Sequence, residues 1–206
     1  MGMAGLKARV RRTPFSRARI HVMAAPRKGV GGEAARIRTL DTRSGLRVLL
    51  GPLRPEEHSA LFDLFAEVVA TGEGFPHVSP LTWEAFVSTW VDEVTVTLVA
   101  RLEGDRGVEL AGAYYLKPNF VGRGAHIANA GYVVPAALRR RGIGRLMVED
   151  SLWRAVLLGF DSIQFNLVFA SNPARVLYEE LGWRVVGRLP AAIDGEDCLI
   201  YWRRVG

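Results

Sequence analysis

The chain has 206 residues, 49% of them hydrophobic, and a formal net charge of +6, enough to bury one core without cross-links. Its one cysteine, Cys198, excludes an internal disulfide or a cysteine-rich metal cluster, and no apolar run reaches the roughly 18 residues that cross a bilayer, so a reducing, cytoplasmic setting is expected with no membrane partner. The charge is uneven: residues 1–43 hold eleven Lys or Arg against two acids, giving +9, whereas residues 44–206 hold sixteen against nineteen, giving −3.

Residues 1–35 show little apolar periodicity, and Pro14, Pro26, Gly29, Gly31 and Gly32 interrupt them, which predicts a disordered basic extension. Rich in arginine and poor in acids, it suits a nucleic-acid-binding arm, a transit peptide, or an extension without function ahead of a later start at Met23. The last reading makes nucleic acid an unexpected partner. Residues 36–206 form the single predicted domain. Residues 37–40, a Thr42-Arg43-Ser44-Gly45 turn and residues 46–50 predict a hairpin. Pro55 opens a helix with Leu61, Leu64, Phe65 and Val68 on one face, and Ser79-Pro80 opens another with Trp83, Phe86, Val87 and Trp90. The glycine-rich link between them, residues 72–78, predicts a mobile lid. Val94, Val96, Leu98, Ala100 and Leu102 alternate with Thr95, Thr97 and Arg101, and after a turn at 104–107 a second strand covers 110–117.

The most informative segment follows. An apolar strand at 127–134 leads into Arg139-Arg140-Arg141-Gly142-Ile143-Gly144 and then a helix over 146–158, ended by Gly159. That helix carries Leu146, Trp153 and Leu157 on one face and Val148, Leu152 and Val156 on another, which predicts burial on several sides. Glycines let the backbone approach a ligand, the helix start offers free N–H groups and a positive dipole end, and arginines add mobile charge. An anionic group such as a pyrophosphate fits there; an ordinary strand-to-helix turn is the plainer reading. A further strand at 163–169 precedes Asn172-Pro173, read as N-cap and first-turn proline of a short helix with Ala174, Leu177 and Leu181 on one face, stopped by Gly182. Another strand begins at Trp183, and Cys198 is expected to be a buried strand residue.

With these residues in order, the chain resembles the GNAT superfamily of N-acetyltransferases over roughly residues 36–204. Arg139 to Gly144 match its cofactor signature, and Asn172, Leu177-Tyr178-Glu179 and Leu181-Gly182-Trp183 match its second. The resemblance implies an α/β fold with a mostly antiparallel twisted sheet, splayed between strands 4 and 5 and flanked by helices. It implies acetyl-CoA as co-substrate and no metal, with Val133, Val134, Arg139, Arg140, Arg141, Gly142, Ile143, Gly144 and Asn172 in contact with acetyl-CoA. Tyr178 matches the tyrosine that protonates the departing thiolate. Dimers recur in the family, so a homodimer is admitted as well.

A narrower likeness lies in Lys117-Pro118-Asn119-Phe120, Gly122-Arg123, His126-Ile127-Ala128-Asn129 and residues 165–169. These look like the proline-analogue branch, typified by yeast L-azetidine-2-carboxylate N-acetyltransferases, in which two asparagines hold the carboxylate of a cyclic imino acid. Asn129 and Asn166 stand at the matching positions, so the likeness implies a small-molecule amine acceptor. Read alone, each is a polar residue in an apolar strand that must find a partner, backbone or ligand, because an unpaired amide costs on the order of 1–3 kcal/mol. Many relatives carry a Glu base on the strand before the cradle, whereas residues 124–138 contain no acid here. His126, His77, a water chain or capture of the neutral amine are the alternatives. Two rival functions remain: a protein or peptide N-acetyltransferase, and a non-catalytic acetyl-CoA-sensing or nucleic-acid-binding protein.

Overall fold

A computed structural model describes residues 32–104 and 107–206, so most of the basic extension lies outside the described residues. The sheet has eight strands: β1 (Arg38–Asp41), β2 (Arg47–Pro52), β3 (Val96–Gly104), β4 (Gly107–Pro118), β5 (Ile127–Val133), β6 (Ser162–Phe169), β7 (Arg184–Ile193) and β8 (Glu196–Arg204), in the order β1-β2-β3-β4-β5-β6-β8-β7. Every neighbouring pair is antiparallel except β5 and β6. The long α-helix between those two strands is the crossover that a parallel pair requires. The sheet opens between the strand before the long helix and the strand after it, which are the fifth and sixth when counted from β1.

Helices α1 (His58–Ala70) and α2 (Trp83–Val87) cover one face, and α3 (Ile143–Leu157) and α4 (Arg175–Glu180) the other. Because successive side chains of a strand point to opposite faces, β3 sends Val96, Leu98 and Ala100 into the α3 core and Val99 into the α1 core. The polar side of its alternation is buried too. Thr97 bonds the Trp90 carbonyl at 2.5 Å, and Arg101 holds Glu57 through two contacts of 2.5 and 2.6 Å while also donating to the Gly51, Val99 and Pro52 carbonyls.

Four local expectations are corrected. The second helix begins at Trp83 rather than at Pro80, since the Thr82 hydroxyl accepts the Ala85 amide at 3.2 Å as its N-cap. On α3, Val156 and Leu157 face solvent, while Asp150 and Arg154 are fully buried. That charge is satisfied: Asp150 takes the Tyr114 hydroxyl at 2.5 Å, Arg154 Nε at 2.7 Å and Arg38, and Arg154 also donates to the carbonyls of Ala34, Arg36 and Leu50. Those contacts reach back to a 3-10 helix at Gly32–Ala35, so packing begins ahead of residue 36. The link at 72–78 is pinned, because Phe75 and His77 each pack edge-on against Phe65 with ring centroids 5.0 Å away.

Candidate functional site

The backbone ladder between β5 and β6 consists of Ile127 opposite Ser162 and Ala128 opposite Ile163, and the strands then diverge. From Asn129 onward the β6-facing edge of β5 has no strand partner among the described residues. A cleft of about 810 Å³ occupies the fork, bounded at one end by Val133, Val134, Arg139 and Gly144 and at the other by Lys117, Asn119, Asn129 and Asn166.

At the cradle, Arg140 and Gly142 both take left-handed backbone, with φ of 65° and 88°, and this kink sets up the start of α3. The Leu146 amide closes the first turn onto the Gly142 carbonyl, so the earlier amides of α3 have no partner within the helix. The two glycines divide the work. A Cβ on Gly142 would sit 3.0 Å from Thr42 Cβ, so the β1–β2 turn supports the cradle from behind; a Cβ on Gly144 would meet only Val134 Cγ2, at 3.9 Å. Gly144 is therefore the open face, and it and the first amides of α3 could hold an anionic group. Arg139 lines the cleft and lies 3.6 Å from Glu73 of the link, whereas Arg140 and Arg141 are exposed outside the cleft wall.

Asn172 does not cap α4 directly. Its Oδ1 accepts the Ala174 amide at 2.9 Å and its carbonyl accepts the Arg175 amide, a turn that delivers the chain into a helix starting at Arg175. Asn172 still lines the cleft. The helix places Tyr178 against Phe165, Trp183 and Tyr201. Its ring lines the cleft, and no hydrogen-bond partner for its hydroxyl exists among the described residues. Burial, with Tyr201 nearby, pushes its pKa well up, so the hydroxyl keeps its proton.

At the other end the sheet brings a set of amides together. Lys117 of β4 is in register with Asn129 of β5, and Tyr115 with Gly131. Gly131 has no room for a side chain: a Cβ there would lie 2.7 Å from the Tyr115 ring. The phenol lies across that gap and donates to Asn129 Oδ1 at 3.4 Å; burial pushes its pKa up to about 12. Asn129 Nδ2 donates to the Gln164 carbonyl at 3.0 Å. Asn166 sits where β6 bulges away from β8, between Phe165 and Val168, and a bulge re-aims its side chains. It makes a reciprocal amide pair with Asn119, at 3.1 and 2.6 Å, and accepts from Gln164 at 2.9 Å.

The histidines are placed elsewhere. Neither His126 nor His77 is part of the cleft wall. His126 Nδ1 lies 2.9 Å from the Arg123 carbonyl, and His77 Nε2 lies 3.0 Å from Thr89 Oγ1. Burial and the charge of Lys117 lower the His77 pKa, leaving a neutral ring. Sequence reasoning missed Tyr115, Glu93 and Gln164 as neighbours of the site. The cross-strand register that joins Lys117, Tyr115 and Asn129 was the signal for the first, but it requires the pairing of β4 with β5.

The sequence profile of the acetyltransferase (GNAT) family matches residues 60–183. N-acetyltransferase aca1 of Schizosaccharomyces pombe is 43% identical over 104 residues, 47% of this chain and 50% of that protein. Protein SPT10 of Saccharomyces cerevisiae is 37% identical over 82 residues, 39% of this chain and 13% of that protein. The matched stretch is thus half the length of one curated relative and a small part of the other. A GCN5-related N-acetyltransferase from Kribbella flavida, 31% identical, superposes with a TM-score of 0.69 over 76% of this chain and 97% of that one. A phosphinothricin acetyltransferase from Sinorhizobium meliloti, solved in complex with acetyl-CoA, shares the fold at 18% identity with a TM-score of 0.66, over 77% of this chain and 89% of that one. On the profile match, and on a likeness to the Kribbella protein that spans nearly all of it, the chain belongs to the acetyltransferase (GNAT) family.

Proposed function

We propose that the chain transfers the acetyl group of acetyl-CoA to the amine of a small amino or imino acid. The observation that carries this reading is the fork between β5 and β6, which runs from the open face of Gly144 at one end to three clustered asparagine amides at the other. The thioester supplies the acetyl group and a thiolate leaving group. Arg139, the open face of Gly144 and the first amides of α3 hold the diphosphate, with Arg140 and Arg141 adding charge from outside. The unpaired edge at Val133 and Val134 offers backbone groups to the pantetheine arm, and the Val134 amide polarises the carbonyl. Tyr178, kept protonated by its burial, donates to the sulfur as the C–S bond breaks. Asn129 and Asn166 each retain an amide N–H beyond those spent on Gln164 and Asn119, and these two donors hold the acceptor's carboxylate.

No histidine of the cleft wall is available as a base. Glu93 lines the wall, but hydrogen bonds from Ser88 and Lys117 hold its carboxyl below the ordinary range, which makes it a weak proton acceptor. The amine therefore enters neutral or loses its proton to water. The deciding experiment measures free-thiol release with L-azetidine-2-carboxylate and with its carboxamide. The acid should be the better substrate. Equal use of acid and amide would discard the carboxylate site and favour a peptide acceptor.

A further inference from the structure

We infer that Lys117 supplies the positive charge of the acceptor's carboxylate subsite and that Glu93 competes with the acceptor for it. This rests on the amino-acid reading of the same cleft. Side-chain amides can satisfy the hydrogen bonds of a carboxylate but bring no net charge, and a carboxylate leaving water without a counter-charge is strongly disfavoured. Among the described residues of the cleft wall, the cations are Arg139 and Lys117. Arg139 sits at the cradle end, 3.6 Å from Glu73. Lys117 alone is at the amide end.

Its placement follows from the ladder. Lys117 and Asn129 are directly opposed on antiparallel strands, so both side chains leave the same face with Cβ atoms roughly 5 Å apart. Two residues on, Asn119 joins Asn166. The ammonium is therefore carried beside the amides proposed to grip the carboxylate. It is held in place loosely: Nζ lies 3.3 Å from Glu93 Oε2 and 5.8 Å from the centre of the Tyr115 ring. The Lys117 side chain is 26% exposed but that of Glu93 is 61% exposed, and ion pairs with so wet a partner contribute about 0–1 kcal/mol. An acceptor carboxylate gripped by amides displaces such a partner. His77 adds no charge of its own, since burial and Lys117 keep it neutral.

The test compares KM and kcat for L-azetidine-2-carboxylate and its carboxamide on the full chain, with wild type, Lys117→Met, Lys117→Arg and Glu93→Gln. Loss of a charged hydrogen bond should raise the KM of Lys117→Met for the acid about ten- to a hundredfold, with the amide's KM and the affinity for acetyl-CoA unchanged and with Lys117→Arg recovering most of the loss. Glu93→Gln should act in the opposite direction, lowering the acid's KM roughly two- to fivefold. A wild type indifferent to acid or amide overturns the amino-acid reading itself. A wild type that prefers the acid, and a Lys117→Met that keeps this preference, overturns the role of Lys117 alone. Should Lys117→Met melt at assay temperature, Glu93→Gln decides, and an unchanged KM for the acid there overturns the competition.

Discussion

The side-chain amide of Asn129 donates to the main-chain oxygen of Gln164 at 3.0 Å, immediately beyond the last backbone pair between β5 and β6, Ala128 and Ile163. It takes the place of the next rung of the ladder. Asn129 is thus a wedge at the tip of the fork as well as a wall of the cleft.

Asn129 and Asn166 should therefore behave differently when truncated. Either change to Ala should cost about ten- to a hundredfold in kcat/KM for a carboxylated acceptor. Asn166→Ala should leave acetyl-CoA affinity as it is, whereas Asn129→Ala should weaken it by roughly two- to tenfold, the worth of one ordinary hydrogen bond at the fork. Calorimetric titration with acetyl-CoA makes the comparison, and an Asn129→Ala protein with wild-type affinity would remove the wedge.

The two cradle glycines separate in the same way. Gly144→Ala should be tolerated, because its Cβ meets only Val134 at 3.9 Å, and Gly144→Trp should abolish acetyl-CoA binding in a folded protein. Gly142→Ala should instead lose stability, by about 1–2 kcal/mol for its left-handed backbone alone, since φ is 88° and the new methyl meets Thr42 at 3.0 Å. Micromolar acetyl-CoA binding by a folded Gly144→Trp protein would contradict the cradle.

Tyr178→Phe should lower turnover by about 10²–10⁴, the usual range for a general acid, with acetyl-CoA affinity almost unchanged. Burial raises the tyrosine's pKa, so its proton is retained through neutral and moderately alkaline pH, and wild-type kcat should show no fall below pH ~10 that disappears in the mutant. Equal turnover of the two proteins, where chemistry limits the rate, would reduce Tyr178 to packing.

The legible parts of this molecule are those written in local periodicity. The apolar strand at 127–134, the helix after Gly144 and the stop at Gly159 appear within a residue or a few of β5 and α3, because each depends on neighbours in sequence. What escaped depends on distant partners. Asp150 and Arg154 drew no attention among the apolar positions of the helix, yet they are buried because Tyr114, Arg38 and three backbone carbonyls converge on them. Val156 and Leu157 read as core and are exposed among the described residues. The amide cluster was half visible: Asn129 and Asn166 stood out as polar residues in apolar strands, but their links to Tyr115, Gln164 and Asn119 require the sheet order and the bulge in β6.

The buried Arg154 bears on where the domain begins. Two of its carbonyl partners, Ala34 and Arg36, precede β1, while residues 1–31 lie outside the described structure. Removing residues 1–31 should leave both the melting temperature and acetyl transfer unchanged, because their sequence has little apolar periodicity with which to join a core. Removing residues 1–36 should leave the guanidinium with the Leu50 carbonyl and Asp150. Each buried donor left without a partner costs about 1–3 kcal/mol, so melting should fall by roughly 5–15 °C for a chain of this size. Arg154→Met in the full chain should be worse, about 3–5 kcal/mol, since it leaves Asp150 with only Arg38 as a cation in a dry setting. Differential scanning calorimetry orders the three proteins. If the 1–31 deletion instead lost most of its activity, the extension would have a role in catalysis, and if it lost a nucleic-acid affinity that falls steeply with salt, the extension would be a binding arm.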